Sequence, residues 1–325
     1  MQPDFGNLHL GIILAPAVNM NKLLVVCGPT ATGKTDLALK LAKLLDGVLV
    51  SADSRQVYKH MDIGTGKDLE RVGRIYGYDI ALPRQEYSVA QYLEYTKKIV
   101  KKIWSSNKLP ILVGGTGLYI KAVVDGIETA NIPRNKLLRQ SLEAKGVSEL
   151  YDILASDDPV RAANMNSSDR KNPRRLIRAI EIAIGTMDSK KVRSIKGLAA
   201  DTLFIGLTAP KDFLNKRIFL RVEKRIDQGI EREIEFLLKH GVTWDMQSMN
   251  SLGYKQFKEH FEEGKSIDEV ISEWIREEGK YAKRQMTWFK KDKRVKWFDV
   301  SDSKYLKKVE ALTQNWYTTP NAKKN

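Results

Sequence analysis

The sequence predicts an α/β fold: a parallel sheet flanked by helices, with a helical segment inserted between strands. Three observations predict it. Short apolar runs alternate with amphipathic helical patterns, as where parallel strands are joined by helical crossovers. The first run, Leu23-Leu24-Val25-Val26-Cys27, feeds directly into Gly28-Pro29-Thr30-Ala31-Thr32-Gly33-Lys34-Thr35. From Pro133 the texture changes to consecutive helices, until strand patterning resumes at Thr202.

The octapeptide fits G-x-x-x-x-G-K-[ST], a phosphate-cradling loop. Its glycines let backbone N–H groups turn inward onto phosphate oxygens, and the helix that follows offers its N-terminus to an anion. Lys34 adds a mobile positive charge, and Thr35 a hydroxyl for Mg2+. A strand enters the loop, and a helix with Leu37, Ala38, Leu41, Leu44 and Leu45 as its apolar stripe leaves it. The sheet is therefore expected to be P-loop NTPase-like. The motif leaves open which phosphate is held, and whether it is transferred or discarded.

The other elements follow in order. After a helix over about 34–45, Val48-Leu49-Val50-Ser51 reads as a second buried strand. It ends at Ala52-Asp53-Ser54-Arg55-Gln56, a polar cluster where open α/β sheets build sites; Asp53 could equally cap a helix. Met61 to Lys67 is a second Gly/Lys loop, too generic to interpret, and 68–87 is weakly patterned. Val89 to Trp104 reads as a helix with a basic outer face. Pro110 precedes a third strand, Ile111-Leu112-Val113, which runs into Gly114-Gly115-Thr116-Gly117-Leu118-Tyr119. Glycines there admit close approach of either a ligand or a neighbouring helix. Helices are expected over 134–145, 148–155, 159–165 and 173–184. The sheet resumes at 202–207. Charged helices follow over 211–240, then 252–261 and 267–289, before a last strand at Val295 to Phe298. The expected organisation is an N-terminal extension (1–19), a first part of the core (20–125), a helical insertion (126–200), completion of the core with basic helices (201–311) and a polar tail (312–325).

The chain has 325 residues and a formal net charge of +15. So positive a balance favours a polyanionic partner such as RNA over a small metabolite alone. Cys27 is the only cysteine, which excludes an intramolecular disulfide and a multi-cysteine zinc site and fits a reducing cytoplasm. No apolar run approaches the roughly 20 residues of a membrane span. Two clusters concentrate the charge. Arg170, Lys171, Arg174, Arg175 and Arg178 have no acid between them, and Arg174 and Arg178 share a helix face. Between Arg276 and Lys296, nine basic residues meet three acids, with Tyr281, Trp288 and Phe289 interleaved. Basic groups can track a nucleic-acid backbone and aromatics can stack on unpaired bases. Trp288 and Phe289 also fit the apolar end of an amphipathic helix, and both clusters fit a solvated face.

Taken together, GPTATGKT, SADSRQVY with MDIGTGK, LVGGTGLYIKA, NPRRLIRAIE, SLGYKQ and YAKRQMTWFK resemble the tRNA dimethylallyltransferase (tRNA isopentenyltransferase) family, over about residues 20–300. The resemblance implies transfer of a dimethylallyl group from dimethylallyl diphosphate to N6 of the adenosine just 3′ of the anticodon. The phosphate loop, residues 28–35, then serves a diphosphate leaving group, with Mg2+ as cofactor and Thr35 as its ligand. Asp53 is the implied general base, Thr116 lies beside the reacting centre, and Lys34 completes the catalytic set. The tRNA anticodon stem-loop is implied to contact Asp53, Ser54, Arg55, Gln56, Thr116, Arg139, Arg174, Arg175 and Arg178. Gly253, Tyr254, Lys255, Lys283, Arg284 and Gln285 join that set, and the helical insertion engages tRNA. A monomer in the cytoplasm is expected.

Several positions depart from the family pattern. Gly64-Thr65-Gly66-Lys67-Asp68 stands where G-T-A-K-P is common, Arg225 where methionine is usual, and Glu278-Gly279 where Thr-Arg is usual. A histidine common in the 70s region is missing. The Glu278-Gly279 change removes a basic group and bears on tRNA contact there. Three other readings compete: an adenylate isopentenyltransferase, a small-metabolite P-loop kinase, and an RNA-binding protein with a degenerate site. The first does not need the two basic clusters. The second expects an acidic end to the third strand in place of Gly-Gly-Thr-Gly. The third does not need an intact phosphate loop.

Overall fold

The computed structural model describes residues 21–68, 75–129, 132, 134–187 and 194–320. The expected extension over 1–19 lies outside the described residues. The chain divides into two compact units, one of Met1–Val124 with Ala199–Asn325 and one of Asp125–Leu198.

In the first unit, β1 (Lys22–Cys27), α1 (Lys34–Leu44), β2 (Gly47–Ser51), α2 (Val89–Ser105), β3 (Leu109–Gly114) and α3 (Gly117–Asp125) come first. The second unit holds β4 (Gly126–Ile127), α4 (Lys136–Glu143), α5 (Val147–Asp157), α6 (Pro159–Asn164), α7 (Ser167–Arg170), α8 (Pro173–Met187) and β5 (Ile195–Lys196). The first unit is completed by β6 (Asp201–Thr208), α9 (Lys211–Asp227), α10 (Ile230–Lys239), α11 (Tyr254–Glu263), α12 (Ile267–Phe289), β7 (Val295–Asp299) and α13 (Tyr305–Thr318).

The sheet runs β2-β3-β1-β6-β7, every pairing parallel. Leu23 to Cys27 are all fully buried, as expected for a parallel strand covered on both faces. On one face Leu24, Val26, Ile111, Val113, Ile205 and Leu207 pack with Leu37 and Leu41 of α1. Because β2, β3 and β1 are adjacent and parallel, their C-terminal ends deliver Asp53, Thr116 and the phosphate loop to one edge.

Two local expectations are corrected, and one segment left without an element is helical. Pro110 lies inside β3, paired with Val48, instead of preceding the strand; it is the strand's second residue, where one missing donor is tolerated. The segment after Gly-Gly-Thr is helical, because α3 starts at Gly117. The polar tail is helical as far as Thr318: Val309 and Thr313 are buried, and Leu312 and Trp316 pack on the core. Those four positions have helical spacing, but a threonine among them and lysines beside them hide the stripe. Residues 321–325 lie outside the described residues.

The second unit has its own core of Leu142, Leu150, Leu154, Leu176, Ile177 and Ile180. Beside it Glu181, with 1% of its side chain exposed, is clamped by two arginines. Arg139 donates from Nε to Oε1 (2.7 Å) and from Nη2 to Oε2 (2.8 Å). Arg178 adds a bond from Nη1 (3.1 Å), and the Asn135 N–H a fourth (3.0 Å). Arg178 also donates to the carbonyls of Thr129 and Ile132. Burial alone would raise the Glu181 pKa, but these bonds outweigh it and hold the carboxyl below its ordinary value.

Arg139 and Arg178 are therefore structural in this unit whatever else they touch. Arg139→Ala is expected to lower unfolding free energy by roughly 2 kcal/mol, because it strips charged partners from a buried carboxylate. Arg174→Ala, at an exposed position, is expected to change it by less than about 0.5 kcal/mol. Urea unfolding of the full chain checks both; an Arg139→Ala protein as stable as the parent would remove the clamp from this account.

Candidate active site

The phosphate loop joins β1 to α1. Ala31 holds a left-handed backbone conformation, φ 63°, of the kind that turns successive N–H groups to one concave side. Lys34 Nζ donates to the Pro29 carbonyl (2.6 Å), and Thr32 Oγ1 to the same oxygen (2.9 Å). Burial, then repulsion from Arg221, lowers the Lys34 pKa to about 8, while Asp53 and Glu278 pull the other way. Burial pushes the neighbouring Cys27 thiol up to about 12, so it is an inert core residue.

A cavity of about 1120 Å³ opens beside the loop. Its wall includes Lys34, Thr35, Asp53, Ser54, Arg55 and Gln56, which lie at the ends of different strands. Asp53 Oδ1 accepts the Arg55 N–H (2.9 Å). Thr116 is set just behind the wall: its N–H donates to the Ala52 carbonyl (3.1 Å) and its Oγ1 accepts the Ser54 N–H (3.0 Å). It thus ties the end of β3 to the Asp53 segment. The glycines around it serve packing. A Cβ at Gly114 would overlap the Ala52 carbonyl, at Gly115 the Gln285 amide, and at Gly117 the Trp288 ring.

Sequence reasoning missed the arginine row of α9. Arg217, Arg221 and Arg225 recur every fourth residue and all line the cavity, as does Lys224. The Arg217 guanidinium approaches Gly33, and Arg221 donates to Thr30 Oγ1. The spacing was visible, but on so charged a helix it does not stand out from a solvated face. Thr35 is on the wall, and its hydroxyl has no protein partner among the described residues. No group of three or more His, Cys, Asp or Glu that could hold a metal occurs among the described residues. A cation here would be held by Thr35 and chiefly by the oxygens of a bound diphosphate, a donor set that suits Mg2+.

The residues expected at RNA divide into two groups. Lys255 and Arg284 are exposed on the cavity wall, and Lys283 is exposed on α12. Tyr254 and Gln285, expected at the RNA surface, are buried instead. Tyr254 packs on Gly64 and donates to Glu233 (2.5 Å). Gln285 accepts the Thr30 N–H (2.8 Å) and donates to the Gly115 carbonyl (3.0 Å). Gly253 is buried against Trp274. Arg55 donates to the Gln247 carbonyl (2.9 Å), and Gln56 holds the Gly66 carbonyl (3.2 Å). In the other unit Arg174 is exposed and Arg175 pairs with Asp169.

The generic Gly/Lys loop also acquires a role. The N–H groups of Asp62, Ile63 and Gly64 converge on the Glu233 carboxylate (2.7–3.1 Å). Lys67 is held by the Tyr58 carbonyl, Asp62 and Asp79, each at 2.6 Å. The loop forms one cavity wall, and its lysine is structural.

The sequence model of the family described as IPP transferase matches residues 56–292. Proteins named tRNA dimethylallyltransferase from Bacillus cereus (strain AH187) and Bacillus anthracis (strain CDC 684) are each 38% identical over 311 residues, covering 91% of this chain and 97% of theirs. Among solved structures, the full-length tRNA isopentenylpyrophosphate transferase of Bacillus halodurans is 34% identical with a TM-score of 0.69, covering 91% of this chain and 97% of that one. A eukaryotic dimethylallyltransferase acting on tRNA has a TM-score of 0.77 at 23% identity, over 94% of this chain and 81% of that one, which shows the shared fold.

The Lys34 environment sets a pH dependence. An ammonium with a pKa near 8 is charged below that pH and binds an anion best there. Affinity for inorganic diphosphate is expected to hold below about pH 8 and to fall by up to about tenfold per unit above it. Lys34→Arg keeps its charge at every such pH. The difference between the two calorimetric profiles therefore separates Lys34 from the titration of diphosphate itself; parallel profiles would exclude this role.

Proposed function

The chain belongs to the IPP transferase family, and from that premise we propose that it transfers a dimethylallyl group from dimethylallyl diphosphate to N6 of the adenosine 3′-adjacent to the anticodon in tRNA. The observation that carries the reading is that the phosphate loop, the α9 arginines and Asp53 line one cavity. A leaving-group cradle and a base are what prenyl transfer to an amine needs.

An exocyclic adenine amine is a poor nucleophile, because its lone pair is delocalised into the ring. As N6 bonds to C1 of the prenyl chain, the C1–O bond breaks and its electron pair leaves with diphosphate. The N6 proton passes to Asp53. Oδ1 of Asp53 already accepts the Arg55 N–H, which leaves Oδ2 for the amine. The loop N–H groups, Lys34, Arg217 and Arg221 receive the growing charge on diphosphate. Mg2+ bound through Thr35 would neutralise part of that charge. Thr116 positions the Asp53 segment through its bond to the Ser54 N–H. To reach C1 the adenine must leave its stack, which costs least in a single-stranded loop.

Arg174 of the other unit, with Lys255, Lys283 and Arg284 of the first, is assigned to RNA phosphates. Arg175 contributes once its pairing with Asp169 opens. Within the second unit Arg139 and Arg178 support α8, which carries Arg174, through Glu181; within the first, Tyr254 and Gln285 act from the interior. A monomer acting in the cytoplasm completes the proposal. No helix among the described residues is long and apolar enough to cross a membrane.

Incubation with labelled dimethylallyl diphosphate, Mg2+ and either tRNA or AMP tests the reading. Label is expected in tRNA alone; label in AMP alone, or in neither, would overturn it. Asp53→Ala is expected to lower turnover by about 100-fold or more while tRNA affinity changes little. A parallel loss of affinity would make Asp53 a binding residue only. Arg174→Ala is expected to weaken tRNA binding and to reduce the salt slope by about 1, read from binding titrations at several salt concentrations.

A further inference from the structure

Two buried charges at the back of the cavity have no role in the chemistry above. Arg225 is the third arginine of the α9 row, and Glu278 lies on α12, four residues after Trp274. Arg225 Nη1 donates to Glu278 Oε1 (3.2 Å), with 5% and 7% of the two side chains exposed. The guanidinium lies over the Trp274 ring, 5.5 Å from its centroid, and backs onto Gly66. Burial, then Arg221, draws the Arg225 pKa down to about 10, and Glu278 opposes them.

Each helix has a second attachment, and both meet at Thr30. Arg221, one turn before Arg225, donates to Thr30 Oγ1. Gln285, two turns after Glu278, accepts the Thr30 N–H and donates to the Gly115 carbonyl. So α9 and α12 are tied by the ion pair at one end and through the phosphate loop at the other. Thr30 is held from both sides before any anion arrives.

We propose that Arg225 and Glu278 are paired positioning residues that set Arg221 and Gln285 on Thr30, and so hold the diphosphate loop in its receiving shape. The structure brings the two, one on α9 and one on α12, into one buried contact. Neither is tenable alone. Arg225 without Glu278 is an uncompensated buried cation, and Glu278 without Arg225 an uncompensated buried anion. Apolar residues of matching volume would stabilise the helix pair at least as well. What the ion pair adds is register between the two helices. The same contact keeps Glu278 buried. A Cβ at the neighbouring Gly279 would have no neighbour within 4 Å.

The kinetic part of the test rests on the proposed prenyl transfer; the binding part does not. Full-length Arg225→Met, Glu278→Gln, Glu278→Thr and the Arg225→Met/Glu278→Thr double variant are compared for binding of inorganic diphosphate with Mg2+. Steady-state KM is measured separately for dimethylallyl diphosphate and tRNA. Each single variant is expected to lose about tenfold or more in diphosphate affinity, and the double variant to recover to within about threefold of the parent. KM for dimethylallyl diphosphate follows the same pattern, while KM for tRNA moves little, a split that a general loss of folding does not produce. Should Glu278→Thr or Arg225→Met fail to fold, the nearly isosteric Glu278→Gln and the double variant decide. Single variants that bind diphosphate like the parent, or a double variant no better than the worse single, would overturn the proposal. A parent protein that binds diphosphate but transfers nothing to tRNA would overturn the functional reading and leave the ion pair to be judged by binding.

Discussion

Positive charge gathered at the C-terminal edge of a parallel sheet is the constraint on which the rest of the site depends. Lys34, Arg217, Arg221, Lys224 and Arg225 share one cavity. Cations brought this close out of water repel one another: burial is the main cause of the lowered pKa values of Lys34 and Arg225, and repulsion from Arg221 adds to it. The protein offsets the repulsion by giving cations temporary or permanent acceptors. Lys34 rests on the Pro29 carbonyl, Arg221 on the Thr30 hydroxyl and Arg225 on Glu278. The first two acceptors are neutral and can be exchanged for phosphate oxygens; the third is charged and buried and stays. The order of exchangeability follows the order of distance from the loop.

This division explains what could be read from residues alone. The phosphate loop was legible because contact between backbone and phosphate constrains contiguous residue types, two glycines, a lysine and a hydroxyl. Asp53 was legible as a candidate because it follows a buried strand, where open sheets place their ligands. The α9 arginines were not, since Arg217 and Arg221 acquire meaning only when Thr30 and Gly33 are brought under them from nearly two hundred residues away in sequence. The Arg225–Glu278 contact was equally hidden, because 53 positions separate the two residues in sequence. The helix α13 escaped notice for a different reason, because Val309, Leu312 and Trp316 form its inner stripe among lysines.

Arginine type alone does not say what a side chain holds in this fold. In the second unit Arg139 and Arg178 lie on different helices and converge on one buried carboxylate. Arg174, four residues before Arg178 on the same helix, has no such partner among the described residues and is exposed. Sequence spacing puts Arg174 and Arg178 on one face, and that is correct for their Cα atoms. Reach decides the rest: Arg178 folds back onto Glu181 and two carbonyls. A helix of this kind can present one cation outward because another holds the unit together from within.

The placement of Asp53 relative to the cations has a consequence for the proposed chemistry. When the N6 proton reaches Asp53, the carboxylate loses one negative charge. When the C1–O bond breaks, diphosphate gains one. The net charge of the cavity is unchanged, and the reaction relocates a unit of negative charge from the end of β2 to the loop after β1. Lys34 senses Asp53, since the carboxylate raises its pKa. On neutralisation of Asp53 that attraction is withdrawn, and the diphosphate takes its place as the partner of Lys34. The cations therefore favour the charge distribution after transfer over the one before it, which is the condition for a fixed electrostatic environment to lower the barrier. That asymmetry requires base and cradle on separate strands of one sheet, close enough to interact and too far apart to pair.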